Sequence, residues 1–294
     1  MSEIVREIES QPACWASATE LLPEAEAKLP LGGARVAVIG CGTSFYMAQA
    51  YAGLREQGSF GETDAFPASE FPGRRRYDAV VAISRSGTTT EVVRALEGID
   101  RERTLAISAV PDTPIPAAAG SAIFLEFADE KSVVQTRFAT SVLALLRAHL
   151  GERLAPLIDQ AKTAVATGLP ADPAGFGHFV FLGHGWTVGL ANEAALKMRE
   201  AAQAHTEAFP AMEYRHGPIS MAGPGSLVWV LGSPDPGVAD DVRATGATVI
   251  AASLDPMAEL ILIQRTAVSL AQLRGLDPDR PRNLTRSVVL KVMP

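Results

Sequence analysis

The sequence of 294 residues contains little cysteine and no long hydrophobic run. Its two cysteines, Cys14 and Cys41, are far apart and form no CxxC pair, which argues against a disulfide framework and favours a reducing compartment. The longest candidate for a membrane span, at 141–146, stops at Arg147 and falls far short of the roughly 20 residues that a bilayer requires. The first residues also lack the apolar centre of a signal peptide. We therefore expect a cytoplasmic protein that does not enter a membrane.

Positive charge is also scarce. The chain carries 26 lysines and arginines against 33 acidic residues, a formal charge of −7, and its basic residues look scattered. A protein that binds nucleic acid usually presents a clustered basic face, so we expect no nucleic-acid partner. The histidines form no HExxH motif or other pair with ligand spacing, so we also expect no metal site.

Short apolar segments alternate with helix-like segments along the chain. Continuous apolar runs of this length are typical of parallel strands that are covered on both faces. The strand-like segments of the first half recur in the same order about 145 residues later; they are 34–40, 78–84 and 104–108, followed by 178–185, 226–233 and 248–253. The sequence therefore predicts an α/β fold of two tandem doubly wound units with parallel sheets flanked by helices.

Composition indicates where the two units begin and end. Glycine and proline thin out the pattern at 151–175, which we interpret as a linker between a first unit at 31–150 and a second at 176–282. Residues 1–30 are predicted to be a helical lead-in, broken by prolines, that serves only for packing, and 283–294 are predicted to be a tail without strands. Helices are predicted at 44–56, 88–96, 137–150, 188–204 and 258–274.

The segment SRSGTTT, which begins at Ser84, has the composition of a phosphate-binding loop. A strand ends there, Gly87 permits a tight turn and a helix begins near Thr88, so backbone N–H groups and the helix dipole point outward together. The hydroxyls of Ser84, Ser86, Thr88 and Thr89 add donors. A single hydroxyl is usually an N-cap, but several favour a bound phosphate. Because the second unit has the proline-containing GSPDPG at the equivalent place, we predict an anion site in the first unit only.

A second turn, GCGTSF at 40–45, follows the first strand. A dinucleotide-binding fingerprint requires a third glycine where Phe45 stands, so we expect no NAD and no other cofactor. Thr43 and Ser44 either donate to phosphate or sugar oxygens or simply cap a strand-to-helix turn, and the motif alone does not separate these two roles.

Three charged residues share one face of the helix predicted at 188–204. Glu193, Lys197 and Glu200 are separated by four and three positions. They form either a solvated row of ion pairs or, beside the predicted site, a partly buried group whose glutamate exchanges a proton with a carbon acid. His216, in the turn YRHGP, is either a surface histidine or an acid that protonates a sugar-ring oxygen near neutral pH.

Taken together, these segments resemble the SIS (sugar isomerase) family, and within it the isomerase half of glucosamine-6-phosphate synthase. The resemblance covers nearly the whole chain and is carried by EIESQP at 7, CGTSF at 41, ASEF at 68, SRSGTT at 84, TRFATS at 136, ALKMREAAQAHTEAF at 195, EYRHGP at 213 and DPDRPRNLTRSV at 277. It implies two flavodoxin-like subdomains, a sugar-phosphate substrate and a homodimer whose sites lie near the subunit boundary.

The resemblance also implies roles for single residues. Glu200 corresponds to the glutamate that moves a proton between C1 and C2, and Lys197 lies close to it. His216 corresponds to the histidine that opens the sugar ring and that reaches in from the neighbouring subunit. The substrate-binding positions of the family correspond to Gly42, Thr43, Ser44, Ser84, Arg85, Ser86, Thr89 and Gln135.

Departures from the synthase change the expected chemistry. No amidotransferase part is recognised, so we expect ammonia or an amine, and not glutamine, as the nitrogen compound. Arg286 stands where the synthase has a lysine that forms a Schiff base, and a guanidinium stays protonated and cannot be that nucleophile. Arg286 nevertheless remains a candidate for substrate binding. Arg85 stands where the synthase has glutamine and is expected to place a positive charge near the phosphate.

The sequence therefore predicts a phosphosugar isomerase or deaminase that acts on a hexose 6-phosphate or amino-hexose 6-phosphate. The nearest alternative is a deglycase that cleaves fructosyl-amino-acid phosphates, and a direct aldose–ketose isomerase needs the same base. A non-catalytic sugar-phosphate-binding regulator is the alternative from another class. Residues 1–30 are too short and too acidic to supply the DNA-binding domain that such regulators usually carry.

Overall fold

The computed structural model describes residues 2–233 and 237–290, which contain one parallel sheet in each half of the chain. The first sheet has the order β2-β1-β3-β4-β5, which is the flavodoxin-like order. Its strands are β1 (Val36–Gly40), β2 (Thr63–Pro67), β3 (Ala79–Ser84), β4 (Thr104–Ser108) and β5 (Ser121–Phe124). This sheet confirms the predicted doubly wound first unit.

The second sheet repeats this order with four strands, as β7-β6-β8-β9. Its strands are β6 (His178–Gly183), β7 (His205–Pro210), β8 (Ser226–Val230) and β9 (Thr248–Ala251). The α/β architecture with two tandem units is thus confirmed. The sequence pattern missed β2, β5 and β7, which lie at sheet edges and are less buried, so they lack the continuous apolar run by which the central strands were recognised.

Helices flank both sheets. They are α1 (Glu3–Glu9), α2 (Gln11–Ala25), α3 (Thr43–Gln57), α4 (Thr90–Glu97), α5 (Pro114–Ala118), α6 (Arg137–His149), α7 (Ala155–Ala166), α8 (Thr187–Ala202), α9 (Val238–Ala244) and α10 (Pro256–Leu273). Within the described residues, no helix is long and apolar enough to cross a bilayer.

Several helix expectations need correction. Helix α4 begins at Thr90 and not near Thr88, because the chain turns at Gly87 with φ +66° and Thr89 remains extended. Pro23 lies inside α2 and does not end it. The predicted linker at 151–175 contains α7, whose Pro156 stands in the first turn, where proline is compatible with a helix. The domain boundaries themselves remain a prediction, and residues 234–236 and 291–294 of the predicted loop and tail lie outside the described residues.

The hydrophobic core connects the two sheets. Alternate residues of each central strand point to opposite faces, so Val36 and Val38 enter a large core shared with strands of the second sheet, whereas Ala37 and Ile39 pack beneath α4 on the outer face. Trp15 of α2 is fully buried in the shared core. The N-terminal helices are therefore an integral part of the protein core.

Helices α3 and α8 bring the two halves into close contact. Asn192 of α8 donates to the side-chain carbonyl of Gln49 on α3 at 3.0 Å. Gly189 allows this approach, because a Cβ atom there would lie 2.6 Å from the carbonyl oxygen of Tyr46 and 2.7 Å from the amide nitrogen of Ala50. A side chain at this position would collide with the backbone of α3 and prevent the two helices from approaching so closely.

Gly189→Ala is therefore expected to lower the free energy of unfolding by about 1–3 kcal/mol, the usual cost of overpacking a close helix contact. Urea unfolding followed by circular dichroism measures this loss. Gly168→Ala is the matched control, because a Cβ atom at Gly168 would meet nothing within 4 Å. Equal stability of the two variants would contradict the tight α3–α8 contact.

Candidate active site

The loops that follow β1 and β3 lie at the same edge of the first sheet, where the strands have their carboxyl ends. The turn after β1 passes through Gly42, at φ +54°, into α3, and the loop after β3 passes through Gly87 into α4. A side chain at Gly87 would overlap the Thr113 hydroxyl, so the loop requires glycine for both its conformation and its space. The carboxyl ends of parallel strands thereby present Thr43 and Thr89 side by side.

A cavity of about 170 Å³ lies at this edge. It contains six residues that the sequence singled out, and it is closed on one side by the C-terminal segment 284–288. The six residues are Gly42, Thr43, Thr89, Gln135, Glu200 and Arg286. The structure thus brings the turns of the first unit, the glutamate of the second unit and the tail together around one cavity.

Lys197 joins the two units behind this cavity, where it bonds two of the residues that line it. Its side chain is 1% exposed, and its ammonium donates to the Thr43 hydroxyl at 2.9 Å and to a carboxylate oxygen of Glu200 at 2.5 Å. A carboxylate oxygen of Glu193 lies 3.4 Å from the same nitrogen. The row predicted on one helix face is therefore a buried cluster and not a solvated surface row.

The charges of this cluster oppose the effect of burial. Burial raises the pKa of Glu193 to about 8, and the nearby Lys197 counteracts part of that increase. Burial alone lowers the pKa of Lys197, but the two glutamates outweigh it and leave the pKa of Lys197 above its usual value. Lys197 is therefore a cation at neutral pH that orients Glu200, whose carboxylate is 19% exposed and lines the cavity.

The phosphate-loop hydroxyls contact the tail. Ser287 lies 2.8 Å from the Thr88 hydroxyl and 3.1 Å from the Ser86 hydroxyl. The N–H of Thr90 donates to the carbonyl of Val288 at 3.2 Å. Sequence reasoning missed Ser287, because it is about 200 positions from the loop and its only local signal was its place next to Arg286. Ser44 and Ser84 are buried at the same sheet edge.

The two arginines of the predicted site hold the tail in place. The Arg85 guanidinium is buried, donates at 3.0 Å to the carbonyls of Ser132 and Arg286, and lies 3.6 Å from the Glu130 carboxylate. Arg286 pairs with Asp129 at 2.5 Å and also donates to the carbonyl of Glu130. Arg85 is not among the described residues that line the cavity, so the charge that we expected at the phosphate is used inside the protein. Arg286 reaches the cavity wall.

Glu7 on α1 was also missed by sequence reasoning. Its carboxylate is buried and accepts hydrogen bonds from the N–H groups of Lys131 and Ser132, at 2.6 and 3.3 Å, and from the Ser132 hydroxyl. The segment that it holds continues to Gln135 in the cavity wall. The N-terminal lead-in therefore builds part of the site, which corrects the expectation that it serves only for packing.

The structure does not bring His216 to this cavity within one chain. Glu200 is in the last turn of α8. That turn lies beside the start of β7, because the neighbouring Arg199 donates a hydrogen bond to the Thr206 hydroxyl at 3.1 Å. His216 is exposed and follows the other end of β7. Six strand residues span roughly 20 Å, so the two side chains belong to opposite ends of the second unit.

Cys41 lines the cavity but is not suited to nucleophilic catalysis. Burial, together with the nearby Glu91 carboxylate, raises the pKa of its thiol to about 11. The thiol is therefore protonated at neutral pH, and the thiolate is the reactive form. Among the described residues, no group of three or more histidine, cysteine, aspartate or glutamate side chains is arranged to hold a metal ion.

The raised pKa of Glu193 predicts a pH-dependent stability. Between the ordinary pKa of 4.5 and the folded value of about 8, the folded chain binds more protons than the unfolded chain, so the free energy of unfolding decreases as pH rises. Glu193→Gln removes this proton. The stability of the wild type minus that of the variant is therefore expected to decrease from pH 4.5 to about 8 and then to level off.

Urea unfolding at several pH values measures this difference. Glu24→Gln is the control, because Glu24 is exposed on α2. A stability difference between wild type and Glu193→Gln that does not change with pH would contradict the raised pKa.

Known proteins resemble the chain in sequence over nearly its whole length, although no family model matches it. The glutamine–fructose-6-phosphate aminotransferase [isomerizing] of Aeropyrum pernix is 31% identical, over 98% of this chain and 57% of that protein. The aminotransferase of the same name from Xylella fastidiosa is 28% identical, over 97% of this chain and 58% of that protein. The chain thus spans about half the length of the curated relatives that it matches.

Solved structures resemble the chain over its whole fold. A glucosamine-6-phosphate deaminase from Thermotoga maritima has a TM-score of 0.80 at 25% identity and covers 98% of this chain and 100% of its own. A tagatose-6-phosphate ketose/aldose isomerase from Escherichia coli has a TM-score of 0.80 at 21% identity and covers 99% and 96%. These similarities agree with the two flavodoxin-like sheets, and together they support the SIS (sugar isomerase) family for this chain.

Proposed function

We propose that the protein is an aminosugar-phosphate deaminase or isomerase that transfers a proton between C1 and C2 of a hexose 6-phosphate. One observation carries the proposal: the Glu200 carboxylate lines the same cavity as the hydroxyl-bearing turns of the first unit. One sugar phosphate in this cavity can therefore place its phosphate group at these turns while the carbon acid at its other end contacts Glu200. The similarity to a glucosamine-6-phosphate deaminase supports this choice of substrate class.

The first unit is proposed to bind the phosphate. Thr89 lines the cavity at the start of α4, where the helix dipole favours an anion, and the hydroxyls of Ser86 and Thr88 lie on the same loop against Ser287 of the tail. Thr43 lies on the neighbouring turn, and its hydroxyl accepts a hydrogen bond from Lys197. The charge of Lys197 is balanced by Glu200 at 2.5 Å, so hydroxyl and backbone N–H donors of the two turns are proposed to hold the phosphate.

The second unit is proposed to perform the proton transfer. In the open-chain form of glucosamine 6-phosphate, Glu200 removes the C2 proton and returns it to C1 while a proton passes from the amine nitrogen to O1, which converts the aldehyde and amine into a C2 ketimine with a C1 hydroxyl. Water adds to that ketimine, the carbon–nitrogen bond breaks, and fructose 6-phosphate and ammonia leave. Lys197 holds the carboxylate in position through its 2.5 Å hydrogen bond. No amine of the protein has to attack the sugar in this sequence of steps.

Glu200→Gln is expected to keep sugar-phosphate binding and to lower kcat by about 10²–10⁴-fold, because the amide cannot accept the proton. Calorimetric titration measures binding, and ammonia release from glucosamine 6-phosphate measures turnover. Glu24→Gln is the matched control, because it makes the same change at an exposed site. An unchanged kcat would remove Glu200 from the mechanism.

The substrate is decided by the products of the unmodified protein. Ammonia from glucosamine 6-phosphate supports a deaminase, and a free amino acid released from a fructosyl-amino-acid phosphate indicates a deglycase. Conversion between aldose and ketose phosphates without loss of nitrogen indicates a direct isomerase. Tight binding of a sugar phosphate without turnover of any of these compounds would overturn the proposal in favour of a regulatory protein.

We also propose that the active protein is a cytoplasmic homodimer in which His216 of one subunit completes the cavity of the other. The exposure of His216 and its place beyond the far end of β7 support this arrangement, since the length of β7 separates it from the end of α8 that carries Glu200. Exposed Met212 and Met221 on the same loop provide apolar area for a subunit contact.

Mixed dimers test the shared site. Glu200→Gln and His216→Asn are each expected to be inactive, whereas refolding the two together is expected to restore about a quarter of the wild-type sites, because each mixed dimer contains one intact pair. Ammonia release after co-refolding measures the recovery. Mixed preparations that stay inactive, or a His216→Asn variant that is active alone, would contradict a shared histidine.

A further inference from the structure

A second cavity lies at the opposite edge of the first sheet from the candidate active site. It has a volume of about 350 Å³ and lies between the segment that precedes β3, residues 73–77, and the connection from α4 to β4, residues 98–103. The first segment leads into the amino end of β3 and the second into the amino end of β4. The cavity is therefore separate from the site at the carboxyl ends, with the strands of the sheet between them.

Its lining is strongly basic in a chain that is acidic as a whole. Arg74, Arg75, Arg76 and Arg103 line the cavity, and Asp100 is the acidic residue among the described lining residues. This gives a formal charge of +3 at one place, against −7 for the entire chain. The impression from the sequence that basic residues are scattered is wrong at 74–76.

Only two of the four arginines lie close to acidic side chains of the protein. Arg75 lies 3.7 Å from Asp64 and 5.8 Å from the centroid of the Phe66 ring, and Arg103 lies 3.4 Å from Asp100. Arg74 and Arg76 are exposed, and neither makes a hydrogen bond or ion pair with another residue in 2–233 or 237–290. Like charges held together on a folded surface repel one another, so this cluster costs stability unless an anion neutralises it.

Two aromatic side chains pack against each other beneath the arginines. Phe71 packs against Tyr77 with ring centroids 6.1 Å apart, and the buried Tyr77 donates its hydroxyl to Asp64 at 2.7 Å. Arg103 donates to the carbonyl of Tyr77 at 3.5 Å and joins the two walls. Tyr77 thus anchors the carboxyl end of the segment that carries Arg74 and Arg76.

We propose that this cavity is a binding site for a small anion of the diphosphate class, distinct from the sugar-phosphate site. Guanidinium groups bind phosphate oxygens through paired N–H donors, and two phosphate groups offer enough oxygens for several arginines at once. A diphosphate is a multivalent anion, which suits the positive charge that remains on Arg74 and Arg76 after Arg75 and Arg103 approach Asp64 and Asp100. A volume of about 350 Å³ accommodates a small molecule but is too confined for a nucleic-acid duplex.

Calorimetric titration with inorganic pyrophosphate tests the site. The wild type is expected to bind it with an affinity that decreases as salt increases, and R74Q/R76Q is expected to weaken that affinity at least about tenfold. R153Q/K162Q is the matched control, because it removes two exposed positive charges, one in α7 and one just before it, that do not line the cavity. This variant is expected to leave the affinity within about twofold of the wild type.

Two further titrations separate this site from the candidate active site. Pyrophosphate binding is expected to persist in S86A/T89A, whose substitutions lie in the proposed phosphate loop, and inorganic phosphate is expected to bind the wild type at least about tenfold more weakly than pyrophosphate. Equal pyrophosphate affinity of R74Q/R76Q and wild type, or loss of binding in S86A/T89A alone, would overturn the proposal. Equal binding of phosphate and pyrophosphate would overturn the diphosphate class.

Discussion

The buried ammonium of Lys197 is the contact on which the candidate site depends. It lies between two glutamates of its own helix and the hydroxyl of Thr43 from the other half of the chain. Removing one partner from such a buried ion pair costs about 3–5 kcal/mol, because the remaining charge has no water to solvate it. The same contact therefore holds the two units in register and sets the position of Glu200 relative to the phosphate loop.

A second set of buried charges closes the other side of the cavity. Glu7 holds the segment at 131–132, Arg85 bonds both that segment and the tail, and Arg286 pairs with Asp129 next to it. The first helix, the loop before α6 and the C-terminal tail are distant in sequence and meet here. Backbone carbonyls accept most of these arginine hydrogen bonds, so the guanidinium groups serve to fix loops.

The sequence predicted central features of this protein because their signals are local. Apolar runs such as those of β1, β3 and β8 identify buried parallel strands without knowledge of their neighbours, and the repetition of their order indicated two units. The edge strands β2 and β7 gave no such signal, since half-exposed strands tolerate polar residues. Helical spacing placed Glu193, Lys197 and Glu200 on one face.

Tertiary contacts alone decided what those residues do. Whether the charged row of α8 is solvated or buried depends on Thr43, about 150 positions away, and whether Arg85 and Arg286 face a ligand or a carbonyl depends on the course of the segment at 129–133. Pattern and propensity report on residues within one or two turns of a helix or strand, whereas burial and hydrogen-bond partners are fixed only when distant segments pack together. The sequence determined which elements form and which chemical groups they carry, and the packing of the two units determined which of those groups share a cavity.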